Sequence, residues 1–396
     1  MSRIQLVLVF ALAGVPSSLA STINVPLDQP TIQAGINAAK TGDTVLVAPG
    51  TYIENINFMG KAITVKSSGG RNVTIIDGNA AAPVAAFITN EGSHSVLSGF
   101  TLQNGVGTFP FAYQGGGVSI NNASPTIKGN TIKNNTAGDG GGVGVSFGSP
   151  ILSGNTITQN SAQFGGGVAF VGDSHAQVLH NMISKNTAGA GAAVELFAAG
   201  NVLVEDNKVV RNISGGQGGG FYIVNEADEV IIQNLIAGNV APSGSQIYSL
   251  IPQSAKGFAL INNTIVSAPN GGADAAVIAD GFNQNVLIEN NIISAAGDNA
   301  ALLCNPIYHG GPPIVEFNDA FNQTVSYGDS CAGFGGTNGN ISADPMFVKI
   351  GNYQLSAGSP AINAGSNSAP YLPKKDLAGH PRIVGGTIDM GAYEFQ

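Results

Sequence analysis

The sequence predicts an all-β solenoid, a stack of short coils whose strands pair in parallel. Three observations predict it. The first is a ladder of asparagines: Asn130, Asn155, Asn181, Asn207, Asn234, Asn263, Asn291 and Asn318 recur every 25 to 29 residues. The second is a pair of apolar columns fixed to that ladder. Three residues before each Asn stand Ile127, Leu152, Val178, Val204, Ile231, Leu260, Ile288 and Val315. Two residues after it stand Ile132, Ile157, Ile183, Val209, Ile236, Ile265 and Ile293. The third is a set of glycine clusters, such as 140–142 and 165–167, each opening a further short apolar stretch. A fixed period of this size marks a repeat architecture. One coil cannot bury its own apolar face, so stacked coils must share one continuous core. A propeller needs longer, antiparallel blades, and leucine-rich repeats need leucines and a helical side.

Residues 1–20 read as a secretory signal. Arg3 precedes an apolar run, Ile4 to Ala13, too short to span a bilayer, and Ser18-Leu19-Ala20 forms a small-residue cleavage site. The mature chain is expected to start at Ser21, and no later apolar run approaches the length of a membrane helix. Residues 21–43 read as an N-terminal cap. Thr31 to Lys40 forms a short amphipathic helix in it, with Ile32, Ile36 and Ala39 on one face and Gly42 beyond. Residues 44–347 read as the β-helix itself, its sheets beginning at Thr44 to Val47 and Ile63 to Val65. The β-branched columns suit strands whose side chains enter a core. A second column, Asn135, Asn160, Asn186, Asn212 and Asn239, follows five residues after the first. Asparagine tolerates left-handed turns and bonds neighbouring backbone. The glycines permit turn geometries that a Cβ forbids.

Cys304 and Cys331 are the only cysteines, one repeat period apart. In an exported protein an even pair reads as a disulfide, here between adjacent coils. The alternative, a metal or redox pair, lacks a histidine cluster beside it. The net charge is −9 and the pI near 4.9. No basic stripe exists to neutralise phosphates, which argues against a nucleic-acid partner.

The opening words Ile23-Asn24-Val25-Pro26, Thr31-Ile32-Gln33-Ala34-Gly35-Ile36 and Gly42-Asp43-Thr44-Val45-Leu46-Val47-Ala48-Pro49-Gly50-Thr51-Tyr52 resemble those of the pectin-lyase-like superfamily. Residues 348–396 carry further words: Ser359-Pro360-Ala361-Ile362-Asn363-Ala364-Gly365, Asp376-Leu377-Ala378-Gly379, Pro381-Arg382 and Asp389-Met390-Gly391-Ala392-Tyr393-Glu394. These resemble the choice-of-anchor Q module of bacterial surface proteins, with Asn363 where an Asp is common. The resemblance implies a right-handed parallel β-helix, with the C-terminal module finishing the stack. It implies a protein released or held non-covalently at the surface, since no sorting motif follows. The superfamily includes lyases, hydrolases, epimerases and adhesins, so function must be argued from the site. The epimerase-like phrase Tyr-Gly-Phe-Asp-Pro-His is absent, as are the Gly-His-Gly and Arg-Ile-Lys phrases of polygalacturonases and the Asp-His pair of pectate lyases.

Charged residues make up only 10% of the chain, so their positions can be mapped. Many gather in the central coils. Lys185 and Arg211 share one column, His180 and Asp206 another, with Glu205 and Lys208 flanking the same strand. A basic strip of this kind could serve β-elimination, in which a base takes the proton α to a uronate carboxylate. An acidic group comprises Glu195, Glu226, Asp228 and Glu229 with Tyr222, preceded by Asp173 and His175. Paired carboxylates perform glycoside hydrolysis when held about 5 to 10 Å apart, and several together bind Ca²⁺. The reading assigns Glu195 and Glu226 as catalytic and Tyr222, Asp228, Lys185 and Arg211 as substrate-binding. It is motivated by Glu195 and Tyr222 falling in one outward column on adjacent coils. Ca²⁺ is the cofactor to expect if one is used. The same charges also read as a solvated outer face. The expected partner is an extracellular polysaccharide, met by a monomeric, secreted or surface-held protein that binds or processes it, with a lyase as the leading reaction. The alternative is a non-catalytic stalk or adhesin.

Overall fold

The computed structural model describes residues 20–107, 115–225, 228–281, 285–307 and 311–396. The signal-peptide reading therefore lies outside the described residues, except for Ala20. Among the described residues the coils build three long parallel sheets of 12, 11 and 11 strands. A coil is illustrated by β1 (Thr126–Lys128) in the first sheet, β2 (Thr131–Lys133) in the second and β3 (Val143–Ser146) in the third. Each strand pairs in register with its counterpart one period later: Ile127 faces Leu152, Ile132 faces Ile157, and Val143 faces Val168. The inward columns are fully buried and form one core running the length of the stack.

The helix spans Ile32–Ala38, inside the expected range. Thr31 caps it, its Oγ1 accepting from the Ala34 N–H at 3.1 Å. The Glu54 carboxylate accepts the next two free amides, from Ile32 and Gln33, at 2.9 Å each. Parallel pairing begins before the helix, because Thr22–Val25 pairs with Thr44–Val47. The cap region thus supplies the first rung of the first sheet.

The ladder asparagines are buried, and each replaces a piece of backbone at the turn between first and second sheets. Asn155 Nδ2 donates to the Ile127 carbonyl at 2.9 Å, and its Oδ1 accepts the Asn130 N–H at 3.0 Å. The residue with left-handed φ is the one before the Asn: Gly154, His180, Asp206 and Gln233 all lie between 55° and 64°. The expected left-handed role of the ladder Asn is therefore displaced by one residue. The turn projects its first side chain outward and turns the Asn inward, where the bonds are. The first ladder continues to Asn340, whose Oδ1 accepts the Asn318 N–H at 3.0 Å. The second ends when Gln246 Oε1 takes the Asn239 N–H at 3.2 Å.

A fourth sheet, Thr136–Asp139, Ser161–Phe164, Thr187–Ala190 and Ile213–Ser214, precedes the glycine turns. Gly140 sits at φ 70°, and a Cβ there would meet the Val143 carbonyl oxygen at 2.3 Å. Only glycine lets the fourth-sheet strand fold so tightly onto the third.

The C-terminal segment does not finish the stack, which corrects the expectation. The last rung of the third sheet is Val325–Asp329, followed by Cys331 and the buried Asn340. From there the chain runs back along the outside of the coils. Ser366 exchanges hydrogen bonds with Asn290, the Ala392 N–H donates to Thr264 Oγ1 at 2.9 Å, and Gln233 Nε2 donates to the Lys375 carbonyl at 2.7 Å. The segment holds a buried charged centre. Arg382 is 2% exposed and donates through Nη2 to the Gly391 carbonyl. Around it stand Asp376, Asp389 and Glu394, each accepting backbone amides. Burial pushes Arg382 down to about 10 and Glu394 up to about 7. Cys304 and Cys331 form the expected disulfide, with Cα atoms 5.6 Å apart.

Candidate functional site

The outward face of the third sheet changes character along the stack. Its column reads Ser119, Gly144, Ala169, then Glu195, Tyr222, Tyr248. The small residues lie where the fourth sheet and its glycine turns press close. A Cβ on Gly144 would stand 2.5 Å from the Gly115 nitrogen. The fourth sheet ends at Ser214, and in that coil and the next the column carries tyrosines, Tyr222 half-buried and Tyr248 buried.

Glu195 lies at that boundary. Its backbone pairs with Ala169 on one side and Tyr222 on the other. It is 3% exposed, and its Oε2 has no hydrogen-bond partner. Burial, then the charge of Asp139, pushes its carboxyl up to about 8. It is therefore mainly protonated at neutral pH. Tyr222 is half-buried beside it, and burial followed by Glu195 raises its hydroxyl above the ordinary value. The rings of Tyr222 and Tyr248 stack with centroids 5.8 Å apart. Tyr248 Oη donates to Asp280 Oδ2 at 2.7 Å, and Asn305 Nδ2 donates to Asp280 Oδ1 at 2.6 Å. Beyond these the face forms an open groove lined also by Asp274 and Asp329.

The structure brings Glu195 and Tyr222 together as the sequence suggested. Glu226 lies outside the described residues. Asp228 stands apart from the groove, in an exposed ion pair with Lys256 at 2.8 Å. Lys185 and Arg211 occupy the left-handed position of the turn that follows the second sheet, at φ 57° and 59°. Arg211 lines a different cleft, between the second sheet and the C-terminal segment. The central charges therefore spread over several sides of the stack. Sequence reading missed Asp280, Asn305 and Asp329. The signal was there: Asp280 and Asn305 share the column of Phe197, one residue pair beyond Glu195. They fall in later coils, where the lengthening period obscures alignment. Among the described residues no three His, Cys, Asp or Glu side chains gather as a metal site.

The sequence matches the family model described as right handed beta helix region over residues 31–181 and 116–303. The chain belongs to that family. Its sheets are thus those of a right-handed parallel β-helix. Among solved structures it is similar to pectate lyase Pel9A, at 17% identity over 92% of this chain and 91% of that one, with a TM-score of 0.48. That likeness assigns no residue a role. No curated protein matches the sequence significantly. Among the described residues no helix is long and apolar enough to cross a membrane.

Proposed function

We propose that this right-handed β-helix is an exported protein that binds a polysaccharide chain along the outer face of its third sheet. The observation that carries the reading is the open groove in which the exposed Asp274, Asn299 and Asp329 stand with Asn305 around the buried Tyr248 and Asp280, with the half-buried Tyr222 one coil before Tyr248. Tyrosine rings offer apolar surface and a hydroxyl, while carboxylates and amides accept and donate to sugar hydroxyls. The disulfide supports an oxidising, extracellular location, as does the signal-like pattern of residues 1–20. The resemblance of residues 348–396 to the choice-of-anchor Q module supports a surface setting.

If the groove is catalytic, hydrolysis fits Glu195 better than the elimination expected from sequence. A protonated carboxyl serves as a general acid and is a poor base. The second carboxyl of such a pair is Asp139, which already acts on Glu195 electrostatically, or Glu226. The acidic lining also repels uronate chains unless a cation intervenes, so Ca²⁺ belongs in the assay. The test is a panel of neutral and uronate polysaccharides, with and without Ca²⁺, followed by binding, by reducing ends and by absorbance of unsaturated product. Binding abolished in Tyr222→Ala supports the groove. Failure to bind any glycan leaves the stalk or adhesin reading.

A further inference from the structure

The C-terminal segment, lying back along the coils, closes one side of a cleft of about 520 Å³ over the second sheet. Lys208 and Arg211 project into it from adjacent positions of one coil, and the C-terminal segment faces them with Asn352, Tyr353, Gln354 and Tyr393. Two cations line this cleft and no carboxylate does, in a chain whose net charge is −9. Neither cation has an ion pair among the described residues, and both are exposed. Lys185 occupies the same turn position as Arg211 one coil earlier, at a rung spacing of about 4.8 Å. It extends the positive strip along the stack. Lys208 also lines the adjoining cleft, where the carboxylates Asp206 and Asp376 stand with His180 and Lys375. Tyr393 is 8% exposed and lines the cleft.

We propose that this cleft is a second binding site, taking an anionic polysaccharide segment, distinct from the third-sheet groove. The guanidinium and ammonium groups meet carboxylate or sulfate, and the amides and tyrosines meet sugar hydroxyls and ring faces. A bare anion has no use for Tyr353 and the amides of Asn352 and Gln354. A nucleic acid would need a longer basic stripe than three side chains. The site requires the tail, so coil and C-terminal segment together form the surface that binds.

The experiment is titration of the full-length protein with oligogalacturonate, a sulfated heparin oligosaccharide, neutral dextran and an oligothymidylate of similar length, at low and moderate salt. The variants are Lys208→Gln with Arg211→Gln, and separately Tyr353→Ala. The charge variant is expected to weaken binding of the anionic oligosaccharides at least tenfold, with an unchanged melting temperature because both side chains are exposed. Tyr353→Ala is expected to weaken them several-fold with an unchanged salt slope. The better of the uronate and sulfate arms identifies the anionic group. Unchanged affinity in the charge variant, equal binding of dextran, or equal binding of an oligothymidylate would overturn the proposal. Tyr222→Ala separates the two sites. If it removes anionic binding while the charge variant does not, the ligand belongs to the third-sheet groove and this site fails.

Discussion

A carboxyl group buried on the outside of a β-helix strand, with one oxygen unpartnered, has one favourable state, the protonated one. Glu195 is that group, and its folded-state value of about 8 compares with an ordinary 4.5. Because the folded value is raised, its contribution to stability is full below the ordinary value. It is lost as pH rises towards 8 and beyond. Glu195→Gln cannot ionise, so we expect it to melt above the parent at pH 9 and close to it at pH 5. The gap is about 2–4 kcal/mol at alkaline pH, read from denaturation midpoints across the pH range. An identical pH dependence in both proteins would show that Glu195 has no raised value. The adjacency of Glu195 and Tyr222 was legible in sequence because the period fixes the register. Its burial was not, because the Gly191 turn lies close to Glu195, and the fourth-sheet strand before it, Thr187–Ala190, reads as a turn rich in Gly and Ala rather than as a strand.

At the scale of the repeat, the Asn ladder acts as backbone supplied by side chains. Asn181 accepts the Asn155 N–H at 2.9 Å and donates to the Leu152 carbonyl at 2.8 Å, inside the stack. Asn181→Ala would leave both groups buried and unpaired, a loss of about 2–4 kcal/mol. Asp at the same position keeps the acceptor but buries a charge, so it should not rescue. Chemical denaturation of the three proteins checks this. Ile183, fully buried in the next column, gives a harsher case: Ile183→Asp is expected to prevent cooperative folding, seen as loss of a melting transition. Period, columns and ladder were readable because each is a local pattern repeated many times. The one-residue displacement of the left-handed position was not, because Gly, His, Asp, Gln and Asn all occupy it, and no single residue type marks it.

For the whole molecule, the C-terminal segment decides which faces of the stack are open. Its words Asp376, Arg382, Asp389 and Glu394 were visible in sequence, but their meaning lay in contacts with coils more than a hundred residues away, which no local pattern encodes. In the fold they form a charged centre, alongside an apolar cluster in which Leu355, Ala361 and Met390 pack with Ile292. Arg382 has two nitrogens, Nε and Nη1, without partners, so it is held by surrounding charge as well as by its bonds to carbonyls. Removing the cation leaves three clustered carboxyl groups facing one another, a destabilisation of about 3–5 kcal/mol by the behaviour of broken buried pairs. That loss should fall on the segment and not on the coils, whose ladders and core are complete without it. We therefore expect Arg382→Met to expose amides around Gly365 and Ala392 to rapid hydrogen exchange while the amides of Asn155, Asn181 and Asn207 stay protected. Glu394, raised to about 7, gives the parent the same tendency with pH. Its stabilising contribution is present below the ordinary carboxylate value and is lost as pH rises through 7. After correction for intrinsic exchange, protection of the tail in the parent should fall between pH 6 and 8. If tail and coils lose protection together in Arg382→Met, the segment is part of one cooperative unit, and the cleft over Lys208 and Arg211 cannot open independently of the stack.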